Sequence, residues 1–164
     1  MAIGRGSDFF GPFATDAAMM GSRVFGRALA GKSAQVVGDP DRLHSFTFID
    51  DFGKALVTLG EREEALGRAW HVPSPPAMTT RQFVEAIYRT LGKPVKMNRA
   101  PRLAVALAGL FDANMKELFE MLYQFERDFV MDSSRFESSF GMRATPLDEA
   151  IRQTLDWYRS RSSS

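Results

Sequence analysis

The sequence predicts a helix-rich α/β fold, and three observations lead there. Short runs rich in β-branched and aromatic residues, Gln35-Val36-Val37, Phe46 to Ile49 and Ala69 to Val72, are bounded by Gly, Pro and Asp turn residues. Between and after them lie longer segments whose apolar residues recur three and four apart, such as Phe52, Ala55, Leu56 and Leu59, or Phe83, Ile87 and Leu91. The composition, 45% hydrophobic and 25% charged over 164 residues, is that of an ordinary globular domain. One domain over residues 1–160 is expected, with 161–164 a disordered tail.

In chain order, Ala2 to Phe10 reads as one strand ending at the Gly11-Pro12 turn. Thr15 or Asp16 caps a helix to about Ala30, where Gly31 supplies the left-handed residue and Lys32 meets the negative end. Gln35 to Val37 is a strand, Gly38-Asp39-Pro40-Asp41 a turn, and Phe46 to Ile49 a strand. Asp50 or Asp51 caps the next helix, which Gly60 ends. Residues 61–67 are a charged connector, Ala69 to Val72 is a strand, and Pro73, Pro75 and Pro76 stiffen the loop behind it. Thr79 with Gln82 forms a capping box for a helix that Gly92 and Pro94 stop. Val95-Lys96-Met97 is a strand, Pro101 opens an apolar helix to Phe111, and Asn114 with Glu117 caps another carrying Leu118, Met121, Leu122 and Phe125. Phe129 to Met131 is a last strand. Thr145 caps the closing helix, whose stripe is Leu147, Ile151, Leu155 and Tyr158.

Several chemistries are excluded. There is no cysteine, so disulfides, thiolate metal sites and cysteine nucleophiles are out. Two histidines, His44 and His71, leave little for zinc, and no G-x-S-x-G elbow is present. A net charge of +1 argues against duplex DNA or an anionic membrane as partner. The longest apolar run, Leu103 to Phe111, is nine residues, too short for a bilayer, and the N-terminus has no secretory h-region, so the expected location is cytoplasmic. His71 alternates with apolar residues and reads as structural or half-exposed. His44, at the entrance of the Phe46 strand and near Arg42, is either an exposed loop histidine or a partner for a polar or anionic ligand.

Three segments, in order, resemble the extended short-chain dehydrogenase/reductases, the NAD-dependent epimerase/dehydratase family. Arg5-Gly6-Ser7-Asp8-Phe9-Phe10-Gly11-Pro12 is similar to the family's R-P-x-N-x-Y-G-P. Gly38-Asp39 through His44-Ser45-Phe46-Thr47-Phe48-Ile49-Asp50-Asp51 is similar to G-D-G…R-D-F-x-H/Y-V-x-D. Asp132-Ser133-Ser134-Arg135, Phe140-Gly141 and Thr145-Pro146 to Trp157-Tyr158 are similar to D-x-S-K/R, L-G-W-x-P and a closing W-Y helix.

The resemblance implies the C-terminal, substrate-binding part of such an enzyme: a helix-rich lobe with short strands, without the N-terminal nucleotide-binding (Rossmann) sheet. The family's catalytic Y-x-x-x-K has no counterpart in these residues, because Tyr88, Tyr123 and Tyr158 are followed four residues on by Gly92, Arg127 and Ser162. No catalytic and no metal-binding residue is therefore expected. The resemblance implies a substrate-binding role for Asp8, Arg42 and His44, and a place near the nicotinamide for Ser7, Phe10 and Pro12. It implies NAD or NADP in the intact family member and none for this chain alone. The implied partners are a small-molecule substrate and either a nucleotide-binding half or a second copy. The other reading is a non-catalytic binding or oligomerisation module. Asp8 and His44 stand where the family's nucleotide-sugar enzymes have Asn and Arg, which implies a less anionic substrate, with Arg42 placed to compensate. On this reading an alanine at position 44 leaves the stability of the fold nearly untouched.

Overall fold

The computed structural model describes residues 1–14, 18–99 and 122–162. It confirms the α/β class, with short strands joined in pairs rather than in one sheet. Strand β1 (Ile3–Arg5) runs parallel to β6 (Ala69–His71), β2 (Asp8–Phe10) to β5 (Phe46–Phe48), and β3 (Ala34–Val36) to β8 (Met97–Arg99). Strand β4 (Leu43–His44) is antiparallel to β7 (Met78–Thr79).

The single strand expected over Ala2 to Phe10 is two strands with different partners. The break falls at Gly6-Ser7. There the Ser7 amide donates to Thr47 Oγ1 at 2.9 Å and the Ser7 hydroxyl donates to the Ser45 carbonyl at 2.5 Å. These side-chain bonds replace ladder bonds and let the chain leave β6 for β5.

Helix α1 (Arg27–Leu29) follows a π-turn over Ser22–Gly26. Its end is as the sequence suggests. Gly31 has φ +70°, its amide donates to the Ala28 carbonyl, and the Lys32 amide donates to the Arg27 carbonyl, a Schellman closure. The proposed caps Thr15 and Asp16 lie outside the described residues. So do the helix from Pro101 to Phe111, the Asn114/Glu117 cap, and Leu118 and Met121.

Helix α2 (Ile49–Glu61) departs from expectation at both ends. Its cap position is Phe48, with no side-chain cap bond, and Asp50 and Asp51 sit inside the first turn. Asp51 is 1% exposed and is spent elsewhere: the Thr145 amide and hydroxyl each donate to it at 2.7 Å. Thr145 is thereby engaged across the fold, and the Pro146 carbonyl accepts the first amides of the closing helix, from Glu149 and Ala150. At the other end α2 runs through Gly60 to Glu61. The helix packs on β1 at Gly4, where a Cβ would stand 2.9 Å from Leu56 Cδ2.

Helix α3 (Thr80–Thr90) starts with the capping box as read. The Gln82 amide donates to Thr79 Oγ1 at 3.1 Å and the Thr79 amide to Gln82 Oε1 at 2.9 Å. Its Phe83 and Ile87 are fully buried. Strand β8 lies two residues later than the Val95-Lys96-Met97 expectation. Phe129 makes a single bridge to His44 rather than a strand.

A 3-10 turn over Leu122–Phe125, helix α4 (Ser134–Phe140) and helix α5 (Leu147–Ser162) complete the chain. Helix α5 continues past the expected tail boundary at 161. The Arg161 guanidinium lies 4.9 Å from the Trp157 ring and the Ser160 hydroxyl donates to the Trp157 carbonyl, which holds the last turn.

Among the described residues the largest core joins Phe10, Phe25, Phe46, Phe48, Phe83, Ile151 and Leu155, so that β2, β5, α3 and α5 share one interior. Tyr88 is buried beside it; its hydroxyl donates to the Lys32 carbonyl at 2.6 Å and accepts from the Ala34 amide. Burial pushes that phenol above its ordinary range. A second core packs Trp70, Phe136 and Leu59.

Candidate functional site

Strands β2 and β5 build the first candidate locus. Their parallel register sets Asp8 beside Phe46 and Phe10 beside Phe48. Side chains alternate along a strand, so Asp8 and Phe10 face one way, as do His44, Phe46 and Phe48. The result is a direct bond: His44 Nε2 lies 2.7 Å from Asp8 Oδ2. His44 is 3% exposed, which sets aside the reading of an exposed loop histidine. It is neither a loop residue nor in open contact with solvent. Its ring stacks on Phe125 at 5.4 Å and Phe129 at 5.3 Å, and tilts against Phe46 at 5.1 Å.

Backbone bonds hold this box shut. The Phe129 amide donates to the Leu43 carbonyl at 2.8 Å, and the Ser45 amide donates to the Phe129 carbonyl at 2.9 Å. The Met131 amide donates to Ser45 Oγ at 2.9 Å. On the opposite face, Thr47 Oγ1 bonds Ser74 Oγ at 2.9 Å and receives the Ser7 amide. Asp8 alone of the pair reaches solvent, its side chain 26% exposed.

The other expected site residues separate from this pair. Arg42, its side chain 54% exposed, pairs with Asp39 at 3.3 Å and makes no ion pair with Asp8 among the described residues. Ser7 is buried in the β2–β5 junction. Phe10 is fully buried against Phe25, Phe48 and Phe83, so its ring belongs to the core. Pro12 is half-buried. His71 is exposed and its Nδ1 bonds the Asp132 carbonyl at 2.9 Å.

A second locus escaped the sequence reading. A cleft of about 330 Å³ opens beside β3 and β8, lined by Met19, Arg23, Gln35, Val37, Asn98 and Arg99. The parallel register puts Gln35 beside Asn98, so two amides stand side by side, and Arg23 and Arg99 are also among the residues that line the cleft. Neither Arg23 nor Arg99 is in an ion pair among the described residues. Such a surface suits an anionic or amide-rich ligand. The alternation of Ala34, Gln35 and Val36 marks Gln35 as outward, but nothing in the sequence pairs it with Arg99. Phe125 links the two loci: it stacks on His44 and packs with Val37. Gly38, at φ +70°, allows this, because a Cβ there would collide with Phe125.

Among the described residues no group of acidic or histidine side chains is placed to hold a metal ion, and no helix is long and apolar enough to cross a membrane.

No family model matches the sequence and no curated protein matches it. Solved structures do. A UDP-glucuronic acid 4-epimerase from Bacillus cereus, in complex with UDP-glucuronic acid and NAD, superposes with a TM-score of 0.74 at 15% identity, covering 98% of this chain and 45% of that one. A dTDP-glucose 4,6-dehydratase from Bacillus anthracis, in complex with NAD, gives 0.70 at 15% identity over 98% and 45%. A UDP-N-acetylglucosamine 4-epimerase from Methanobrevibacter ruminantium gives 0.69 at 17% identity over 96% and 46%. The chain thus spans less than half the length of these proteins, and at such identities the likeness is one of fold. This chain is similar in structure to NAD-dependent epimerases and dehydratases and shares the fold of a part of them.

Proposed function

We propose that this chain is the substrate-binding portion of an NAD(P)-dependent epimerase/dehydratase-like oxidoreductase, inactive by itself. The observation that carries this reading is the match of nearly the whole chain to less than half of each NAD-dependent neighbour. The free edge of β1 supports it. Among the described residues β1 pairs only with β6. Ile3 on it is exposed, as are Leu56 and Val57 on α2, the helix that packs against β1. An open parallel strand beside exposed apolar side chains suits a neighbouring sheet.

In this reading the reaction is hydride transfer at a carbonyl or secondary alcohol, and the dinucleotide supplies the chemistry. Asp8 contacts the substrate with His44 holding it in place, and Ser7 and Pro12 lie towards the nicotinamide. Arg23 and Arg99 take its anionic part, the role first given to Arg42. The chain's own contribution is orientation and selectivity, and it works in the cytoplasm.

Isothermal titration of the folded chain with NAD and NADH tests this. No heat is expected, because the glycine-rich phosphate loop of dinucleotide sites is not among these residues. Micromolar binding would overturn the reading. The same free edge also supports the second reading, a self-associating module. Under it, light scattering shows a concentration-dependent dimer that a proline at Gly4 (Gly4→Pro) abolishes.

A further inference from the structure

We propose that the Asp8–His44 pair sets substrate specificity: through its open oxygen Asp8 takes an uncharged hydroxyl of a ring-shaped substrate, and the same carboxylate turns away a phosphate or carboxylate. The inference rests on the reading of this chain as a substrate-binding portion and names the chemistry that portion selects.

Four observations carry it. First, the imidazole cannot serve a ligand itself. It is 3% exposed, held between Phe125 and Phe129, and its Nε2 is committed to Asp8. Second, Asp8 has one oxygen engaged at 2.7 Å, and its Oδ1 has no partner among the described residues while the side chain is 26% exposed. A carboxylate aimed by a fixed donor is a preorganised acceptor. Third, Phe129 is 42% exposed. One face of its ring covers the imidazole that Asp8 bonds, and its exposed remainder is apolar surface of the kind that suits the C–H face of a sugar or cyclitol. Fourth, no arginine or lysine pairs with Asp8 among the described residues: Arg42 pairs with Asp39, and Arg23 and Arg99 line the cleft beyond Phe125.

The physical consequence is a division of labour. An anion at Asp8 meets like charge that no arginine or lysine neutralises by pairing, which is unfavourable in a partly buried place. A hydroxyl donates to Asp8 Oδ1 at no such cost. The cleft with Arg23 and Arg99 remains open to anions.

The test is proton–nitrogen NMR of the intact 164-residue chain with three probes: methyl β-D-glucopyranoside, inorganic pyrophosphate and propylammonium. The expected result is that the glucoside alone shifts the Asp8 amide and His44 ring signals saturably, while pyrophosphate shifts only signals of the cleft. In Asp8→Asn the His44 bond is retained but the open acceptor becomes an amide donor. Glucoside affinity should fall by about tenfold, the loss of one charge-assisted hydrogen bond, and pyrophosphate should begin to move the His44 signals. Amide dispersion in the same spectra reports folding of the variant, and the wild-type probes decide the matter if it unfolds. The inference is overturned if pyrophosphate moves the wild-type His44 signals, if only propylammonium does, or if no probe does. It can fail separately from the reading beneath it. Micromolar NAD binding removes that reading and leaves the probe result standing. Pyrophosphate at His44 removes the inference and strengthens a phosphate-bearing substrate for the same portion.

Discussion

Asp8 and Asp51 are both acidic residues drawn into the fold beside β5, and they do opposite work. Asp51 is 1% exposed, and its two oxygens receive the amide and hydroxyl of Thr145 at 2.7 Å each. Nothing of it remains for a ligand. Asp8 gives one oxygen to a buried histidine and leaves the other towards solvent. The difference teaches that a carboxylate's role follows from whether the fold bonds and buries both of its oxygens. Asp51 joins α2 to the start of α5, and Asp8 holds a charge ready. His44 belongs with Asp51 on the structural side, although it touches Asp8.

The largest effect that sharpens this contrast is expected at His44. His44→Ala removes a ring packed against three phenylalanines and leaves Asp8 without its donor, so chemical denaturation should show a loss of about 3 kcal/mol. This reverses the sequence expectation of a nearly neutral change, because that expectation assumed an exposed side chain. An unmoved midpoint would mean that the aromatic box does not hold His44.

Next comes Asp51→Ala. It leaves the Thr145 amide and hydroxyl without their buried acceptor, and a loss of about 2 kcal/mol is expected. Asp8→Asn, which keeps an acceptor for His44, should cost under about 1 kcal/mol. Equal losses for the two variants would break the distinction between them.

The smallest effects lie at the surface. Asp132 is held below the usual carboxylate range, chiefly by the Ser134 amide and then by the Ser134 hydroxyl. Asp41 is held low by its bond to Arg81, with side-chain distances of 2.6 and 3.0 Å. A lowered carboxyl stabilises the fold above its unfolded value, and that stability is lost as pH falls through the lowered one. As pH falls below about 4, thermal melts of the wild type should therefore fall more than those of Asp132→Asn. Parallel curves would remove Asp132 from the acid response.

Legibility in the sequence tracks the distance over which a bond reaches. The Thr79/Gln82 box and the glycine stops at Gly31 and Gly92 were readable because their partners lie within a few residues. The Asp51 cap was misread because its true partner, Thr145, is 94 residues away. Asp8 and His44 were chosen together through a resemblance of motifs, yet the bond between them follows from the register of β2 on β5. Arg23 and Arg99 are not legible as one site in the sequence, because the turn that carries Arg23 packs on β3 and β8 brings Arg99 alongside that strand.

The sequence by itself determined the α/β class, the helix stops at Gly31 and Gly92, the absence of thiol chemistry and the motif order that resembles an epimerase/dehydratase. These rest on composition, on periodicity and on bonds that close within a turn. Tertiary structure alone decided where the first strand breaks, which carboxylate is consumed and that His44 is buried. Each depends on groups far apart in the chain, and a buried polar atom takes whatever partner packing brings to it.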